Sequence, residues 1–233
     1  PETFDWLCRH DLLPNLQGVF VTHCHTDHVG GLAGLAWRAM FVEKRKIGLY
    51  THVQSELLLT RQLSELFHGN EAWVRTLGFD RPVGVLLLSD FFDRHRWDLP
   101  VDVLGPHSGW ADSEGRPSPK LPIRVSMFSV VHNIVDLPAH GLVVDVGRKN
   151  VVFSGDTAVP LPSCLVVPAD RVYHDCALYD VPAGFEVHCP LQALLAAYRR
   201  YGTKILLAHT NTRPETAVFR WAHRFHVEVL CSE

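Results

Sequence analysis

The feature that most constrains this chain is a cluster of three histidines and one aspartate within six positions. The cluster consists of His23, His25, Asp27 and His28, and it directly follows an apolar run at 18–21 and precedes two glycines. A short apolar run that ends in polar residues is typical of a buried strand whose carboxyl end presents side chains. A surface loop that is rich in histidine by chance is the alternative, and four ligand-type residues after a buried strand disfavour it. The cluster therefore predicts a metal-binding loop.

The spacing within the cluster favours two neighbouring metal ions. Alternate side chains of an extended segment point to the same side, so His23 and His25 should converge. A turn or helix start at Asp27 and His28 would direct those two side chains toward an adjacent point. Imidazole and carboxylate ligands together suit Zn²⁺, which is the predicted metal, with Mn²⁺ and Fe²⁺ as alternatives. The same alternation points Cys24 away from the metals, as a packed thiol.

The order of the predicted elements indicates a mixed α/β fold. Residues 32 to about 107 are predicted to be largely helical, with a capping box at Thr51 and Gln54 and a further helix at 71–79. A polar loop rich in Gly, Pro and Ser follows at 112–120. The later predicted elements are strands at 123–131, 142–146, 151–153, 171–175, 205–208 and 227–230, with a hairpin turn at 147–150, and helices at 190–201 and 214–223. This order suggests a layered sandwich of sheets between helices.

Composition argues against several classes of protein. The net charge of −3 over 233 residues lacks the basic excess of a protein that tracks nucleic acid through many phosphate contacts. No run of about eighteen apolar residues occurs, so we expect no transmembrane helix and no membrane contact. The six cysteines are scattered without a Cys-x-x-Cys pair, which favours reduced thiols and a cytoplasmic location.

The histidine and aspartate cluster resembles the signature of a known family. His-x-His-x-Asp-His followed by Gly-Gly is similar to the metal-binding motif of the metallo-β-lactamase-fold hydrolases. Three later positions match the further ligands of that family. They are His132 after a strand, Asp156 in Ser-Gly-Asp-Thr after a strand, and His209 at a strand end. His140 competes with His132, but His140-Gly141 stands where family members often have Tyr-Gly, so we interpret His140 as a pocket or support residue.

The resemblance implies a four-layer αββα sandwich of the metallo-β-lactamase type that holds two divalent metal ions. The implied ligands are His23, His25 and His132 for one metal, Asp27, His28 and His209 for the other, and Asp156 as the bridge. A hydroxide bound between the metals would be the nucleophile, because coordination lowers the pKa of water to about 7. We expect one domain over 1–233 with a helical insertion or flank at about 32–107, and a segment before Pro1 that supplies the first strands.

The later motifs resemble the ribonuclease Z and phosphodiesterase branch of that family. Asp175 follows a histidine, and His188 stands in His-Cys-Pro before a predicted helix. By that resemblance His188 would contact the scissile phosphate and protonate the leaving oxygen, and Asp175 would orient it. The alternative is a plain histidine at a helix start and an ordinary acid at a strand end. The predicted catalytic residues are Asp27, which is also a ligand, His188 and Asp175.

Four hypotheses of function remain at this stage. We favour a phosphodiesterase that acts on a small or cyclic phosphodiester; an RNA-end nuclease, an acyl hydrolase such as a lactonase, and a non-catalytic metal-binding sensor are the alternatives. The slightly acidic charge and the lack of a long arm rich in Gly and Pro disfavour transfer-RNA processing. We interpret Trp73, Trp97, Phe91 and Phe92 as core rather than base-stacking residues. Exposed apolar residues within 32–107 would allow a homodimer.

Overall fold

The described strands form two sheets in the computed structural model, one in the unit Pro1–Asp98 and one in the unit Leu99–Glu233. The structure describes residues 2–67, 88–96, 101–103, 123–132, 137–177, 187–199, 205–208 and 228–229. Among these residues, no helix is both long and apolar enough to cross a bilayer. One domain over 1–233 remains a prediction.

The described sheet of the first unit joins parallel strands in the order β1, β2, β3. These strands are Gly18–Val21, Ile47–Thr51 and Phe92–Arg96. Leu49 and Phe92 lie on the same face of the sheet and are 0% and 1% exposed. Parallel neighbours need crossover connections, and helices of this unit occupy the connections that the structure describes.

The first unit contains α1 to α5 and one 3₁₀ turn among its described residues. The helices are α1 (Glu2–Arg9), α2 (Thr26–Val29), α3 (Leu32–Phe41), α4 (Val53–Phe67) and α5 (Leu88–Phe91), and the 3₁₀ turn is Leu13–Asn15. α3 buries Leu32, Leu35 and Ala39, which recur at the helical spacing expected of a core-facing stripe. Arg45 donates hydrogen bonds to the backbone carbonyls of Leu13 and Leu16, each at 2.7 Å.

The predicted capping box at Thr51 and Gln54 is wrong. Thr51 is the last residue of β2, and the backbone N–H of Gln54 donates to Nδ1 of His52 at 3.3 Å instead. Strands β2 and β3 were also missing from the prediction, because they lie in the stretch that was expected to be largely helical. A short apolar run does not distinguish a buried strand from a buried helix by periodicity, and here pairing in a parallel sheet decides the outcome.

The second unit carries a sheet whose described strands run in the order β10, β9, β8, β7, β6, β5, β4. The strands are β4 (Val101–Val103), β5 (Ile123–Val130), β6 (Ala139–Val146), β7 (Lys149–Phe153), β8 (Arg171–Asp175), β9 (Ile205–Ala208) and β10 (Glu228–Val229). Neighbours from β4 to β7 are antiparallel and neighbours from β7 to β10 are parallel. The carboxyl ends of the parallel strands therefore lie at one edge of the sheet.

Most of the strands predicted for the second unit, and the predicted hairpin, are confirmed. β6 and β7 are joined through Gly147 and Arg148, and Gly147 has φ of 62°, which suits the tight hairpin turns that need a left-handed residue. The described helices are α6 (Ser163–Val166) and α7 (Leu191–Tyr198), and Pro190 precedes α7 as its N-cap. The predictions at 71–79, 112–120 and 214–223 lie outside the described residues.

One side of the parallel strands packs against these helices to form the core of the second unit. Its most deeply buried members are Val152, Val166, Val172, Cys189, Cys176, Leu194 and Leu207. β-branched residues on the strands and leucines on the helix fit the usual preferences of each element. This core fixes the carboxyl ends of β7 and β8 beside the start of α7.

Candidate functional site

The predicted metal-binding loop of the first unit directly follows strand β1. His25 is the extended N-cap of helix α2, with φ of −65° and ψ of 148°. Because the chain is still extended at this point, His23 and His25 point to the same side, and Nε2 of His23 lies 3.1 Å from Nδ1 of His25. The two rings meet edge to face with centroids 4.8 Å apart. The loop therefore brings two imidazole nitrogens to one point.

The geometry of this pair fits a divalent cation. Two nitrogens bound tetrahedrally to zinc at about 2.0–2.1 Å would stand roughly 3.3 Å apart, close to the separation observed between His23 and His25. The other ring nitrogen of His23, Nδ1, lies 3.3 Å from Oγ1 of Thr22. A partner for the second nitrogen is what orients a histidine ligand and fixes its tautomer. His23 is also fully buried.

Asp27 and His28 form a second pair on the same loop. Nε2 of His28 lies 3.6 Å from Oδ2 of Asp27, and the side chain of Asp27 is 59% exposed. The rings of His23 and His28 have centroids 4.1 Å apart. Helix α2 begins at Thr26, one position earlier than expected. Its first turn places the side chains of Asp27 and His28 next to each other.

Cys24 lies between the two histidines and faces the opposite direction. Its side chain is buried, and its Sγ donates to the carbonyl of Ser55 at 3.4 Å. Burial raises the pKa of the Cys24 thiol to about 11, because desolvation disfavours the thiolate. The prediction of a packed thiol is confirmed.

In the second unit, His132 and Asp156 each follow a strand. His132 comes after β5 and Asp156 after β7, and they are 4% and 2% exposed. Gly155 permits the turn before Asp156 because it has φ of 60°, a conformation that favours glycine. The backbone N–H of Ala158 donates to the carbonyl of Val131 at 2.6 Å. This bond ties the loop of Asp156 to the residue before His132.

Asp175 and His188 form a hydrogen-bonded pair at the start of α7. Nδ1 of His188 lies 2.9 Å from Oδ2 of Asp175 and 3.7 Å from Oδ2 of Asp156. One ligand-type atom from each of these three residues lies within 4.8 Å of the others. The pairing follows from the backbone, because Ala177 and Pro190, each two residues further along, form an isolated parallel bridge. Such a group can hold a proton or contribute to a cation site.

Two further residues support Asp175, and sequence reasoning assigned neither of them a role. The backbone N–H of Thr157 donates to Oδ2 of Asp175 at 3.1 Å, and Oγ of Ser154 accepts from the backbone N–H of Asp175 at 2.8 Å. Ser154 also donates to the carbonyl of Gly155 at 2.6 Å. Both residues belong to the Ser-Gly-Asp-Thr motif, which was interpreted only for its aspartate. The loop of Asp156 thus also positions Asp175.

His174 precedes Asp175 but belongs to the core. It is 0% exposed, its Nδ1 lies 2.6 Å from the carbonyl of Asp175, and its Nε2 accepts from the backbone N–H of Leu161 at 3.3 Å. Burial lowers the pKa of His174 to about 4, so the ring is neutral at physiological pH. Tyr198 of α7 accepts from the same Leu161 N–H at 2.7 Å.

The structure places the other predicted residues as follows. His140 is buried on β6. Phe91 and Phe92 are 3% and 1% exposed, which confirms them as core residues. His209, Trp73 and Trp97 lie outside the described residues.

A family model described as Anti-Pycsar protein Apyc1 matches residues 9–224 of this chain. Among curated relatives, the Anti-Pycsar protein Apyc1 of Paenibacillus sp. (strain J14) is 26% identical over 208 residues, which are 86% of this chain and 71% of that protein. The Anti-Pycsar protein Apyc1 of Bacillus phage vB_BsuM-Goe3 is 28% identical over 218 residues, which are 88% of this chain and 74% of that protein.

Similar solved structures share the fold. YhfI from Bacillus subtilis, a metallo-β-lactamase fold protein, has a TM-score of 0.60 at 16% identity over 95% of this chain and 76% of its own. Zn²⁺-bound PqqB from Methylobacterium extorquens has a TM-score of 0.58 at 14% identity over 92% and 70%. Unliganded yeast PDE1 has a TM-score of 0.60 at 13% identity over 95% and 68%. The predicted metallo-β-lactamase fold is confirmed.

Proposed function

The chain belongs to the Anti-Pycsar protein Apyc1 family, and we propose that it hydrolyses the phosphodiester bond of a cyclic nucleotide. It is a metal-dependent hydrolase with the metallo-β-lactamase fold. The family degrades cyclic nucleotides, and this favours the cyclic phosphodiester hypothesis over an RNA-end nuclease, an acyl hydrolase or a sensor. The family match over residues 9–224 is the single observation that carries the proposal.

The proposed metal ligands are five histidines and two aspartates. His23, His25 and His132 would hold one divalent cation, Asp27, His28 and His209 the other, and Asp156 would bridge them. The convergence of His23 and His25, 3.1 Å apart, supports the first site, and the second pair on the same loop supports the second. Zn²⁺ is the proposed metal, because imidazole and carboxylate donors suit it, with Mn²⁺ or Fe²⁺ as alternatives. When bound, the cations supply an activated water and neutralise charge on the phosphate.

His188 is the proposed general acid. Asp175 accepts from Nδ1 of His188 at 2.9 Å, and Nε2 is the nitrogen proposed to deliver the proton. Water would attack phosphorus and lose one proton to solvent, and the bond from phosphorus to one ribose oxygen would break. That oxygen would take the proton from His188, which would regain a proton from solvent. The product is a linear nucleoside monophosphate. A neighbouring carboxylate orients an imidazole and stabilises its protonated form, and this is the role proposed for Asp175.

The closing experiment combines metal analysis with product analysis. Purified protein is assayed by elemental analysis, and a panel of 3′,5′-cyclic nucleotides with purine and pyrimidine bases is followed by ³¹P NMR. We expect about two metals per chain and conversion to linear monophosphates that stops after chelation. Bis(p-nitrophenyl) phosphate and a simple lactone serve as comparison substrates. Turnover of the lactone without turnover of any phosphodiester would contradict the proposal.

Three further assignments belong to the proposal. A cytoplasmic location is supported by the described cysteines, which form no disulfide with one another. A homodimer is supported by exposed apolar side chains of the first unit, where Val42 is 58% and Leu57 78% exposed. Nucleic acid is not favoured as a partner, because the net charge is −3.

A further inference from the structure

The backbone of the metal-binding loop is attached to helix α4 at the residue between its two histidines. Nε2 of Gln62 donates to the carbonyl of Cys24 at 2.9 Å, across 38 positions of sequence. The side chain of Cys24 reaches the same helix, since its Sγ donates to the carbonyl of Ser55 at 3.4 Å. One residue of the loop is therefore held at two points, once through its main chain and once through its side chain.

The two points lie on one face of α4. Ser55, Leu59 and Gln62 are four and three positions apart, the spacing that places side chains above one another on a helix. Ser55 and Leu59 are both 0% exposed, so this face of α4 is buried. α4 thus presents a continuous contact face to Cys24.

Holding Cys24 constrains its neighbours. Because side chains alternate in an extended segment, a residue whose side chain and carbonyl are both held on the α4 side directs His23 and His25 away from it. We propose that Gln62 is a positioning residue for the metal-binding loop, and that its hydrogen bond to Cys24 sets the separation of His23 and His25. This inference rests on the proposed function, because it concerns the same metal site.

A purely structural role explains Gln62 less well. Among the described residues, Oε1 of Gln62 is buried and has no hydrogen-bond partner. A buried unpaired oxygen costs free energy, so an apolar side chain of similar length would suit a position that served only packing. Within the described part of the chain, the amide of Gln62 bonds through its N–H, and that N–H reaches the loop.

The test measures metal affinity directly. Gln62→Met removes the hydrogen bond at nearly constant length, and Gln62→Glu replaces the donor with an acceptor. The carboxylate of Gln62→Glu would attract a cation, so weaker binding in that variant cannot arise from its charge. Gln54→Met and Gln54→Glu are matched controls, because Gln54 lies on the same helix and is exposed.

We expect both Gln62 variants to bind Zn²⁺ about 10- to 100-fold more weakly in competition with a chromophoric chelator, the usual effect of losing a residue that supports a ligand. The controls should stay within about twofold. The Co²⁺-loaded Gln62 variants should also show altered visible absorption, while the midpoint of thermal unfolding of metal-free Gln62→Met stays near that of wild type.

The outcomes separate this inference from the proposed function. A wild-type protein that binds Zn²⁺, with Gln62 variants of equal affinity and equal Co²⁺ spectra, would overturn the role of Gln62 alone. Affinity losses that occur only together with a large fall in metal-free stability would assign Gln62 to folding and also overturn it. A wild-type protein that binds neither metal would overturn the proposed function and this inference with it.

Discussion

Nδ1 of His188 lies 2.9 Å from Oδ2 of Asp175, and the same carboxylate oxygen accepts the backbone N–H of Thr157 at 3.1 Å. Two donors therefore converge on one oxygen. One of them comes from the start of helix α7 and the other from the loop that carries Asp156. The imidazole is thus positioned by the strand ends of the sheet and not only by the segment that leads into α7, which is the arrangement a proton donor needs if its orientation is to be kept.

The first prediction concerns this pair. His188→Asn and Asp175→Asn should each lower kcat for a cyclic nucleotide by about 10²- to 10⁴-fold, because a positioned general acid contributes that much. The double variant should lose little more than either single variant, since the two side chains act as a unit. Steady-state kinetics with elemental analysis of each variant checks this. Additive losses, or variants without metal, would contradict the role of the pair.

The second prediction concerns metal removal. Dialysis against a chelator should abolish turnover and lower the midpoint of thermal unfolding, and added Zn²⁺ should restore both. A ligand at about 1,000 times its Kd stabilises the folded state by about 4 kcal/mol. Differential scanning fluorimetry at rising Zn²⁺ concentration measures the effect. His23→Ala is the control, and it should show a much weaker response; an equal response would show that the stabilising metal binds elsewhere.

The third prediction concerns acid stability. The pKa of His174 is lowered to about 4 in the folded chain from 6.5, so its neutral form stabilises the fold fully above about pH 6.5 and this contribution is lost as pH falls toward 4. The loss is about 3 kcal/mol at most, from about 1.4 kcal/mol for each unit of pKa. Urea unfolding of metal-free protein at pH 7.5 and 4.5 measures it.

His174→Gln supplies the matched control for this pH dependence. Glutamine offers both a donor and an acceptor but does not titrate in this range. The variant should therefore lose less stability than wild type between the two pH values, even where its stability at pH 7.5 is lower. Parallel pH curves for the two proteins would assign the acid sensitivity to other groups.

The fourth prediction concerns Gly141 on strand β6. A Cβ at this position would lie 2.3 Å from Cζ of Phe128 and 2.7 Å from the carbonyl oxygen of Ser154. Gly141→Ala should therefore lower the free energy of unfolding by about 1–3 kcal/mol, as overpacking of a core does. Chemical denaturation measures the loss. Adding Phe128→Leu should recover part of it by removing the ring; no loss in the single variant would show that the sheet adapts.

The sequence predicted the second unit better than the first. Strands β5 to β9 carry β-branched or apolar runs bounded by turn residues, and local patterns of this kind do not depend on partners. Strands β2 and β3 were missed because the pairings of β1 with β2 and of β2 with β3 are long-range, and nothing local distinguishes Ile47–Thr51 from a helical segment. The capping role of His52 was also missed, because threonine at position 51 is the more usual type of N-cap residue.

The sequence alone indicated which type of chemistry the candidate site supports. Four ligand-type residues within six positions, placed after a strand, indicate metal binding from residue type and spacing alone, because side-chain direction in an extended segment follows from covalent geometry. The convergence of His23 and His25 could be expected on that ground. Ser-Gly-Asp-Thr and the later histidines added a family resemblance, and the family match over residues 9–224 agrees with it.

Only the tertiary structure showed which residues position the side chains of the candidate site. The contacts of Cys24 with Gln62 and of Asp175 with Ser154 join positions 38 and 21 residues apart, and His174 is a core residue although it stands next to Asp175. No local pattern specifies such pairings, because they depend on how strands and helices pack. Residue type and spacing are local properties of the chain. The hydrogen bonds that position a side chain, and its burial, depend on parts of the sequence that meet only in the folded state.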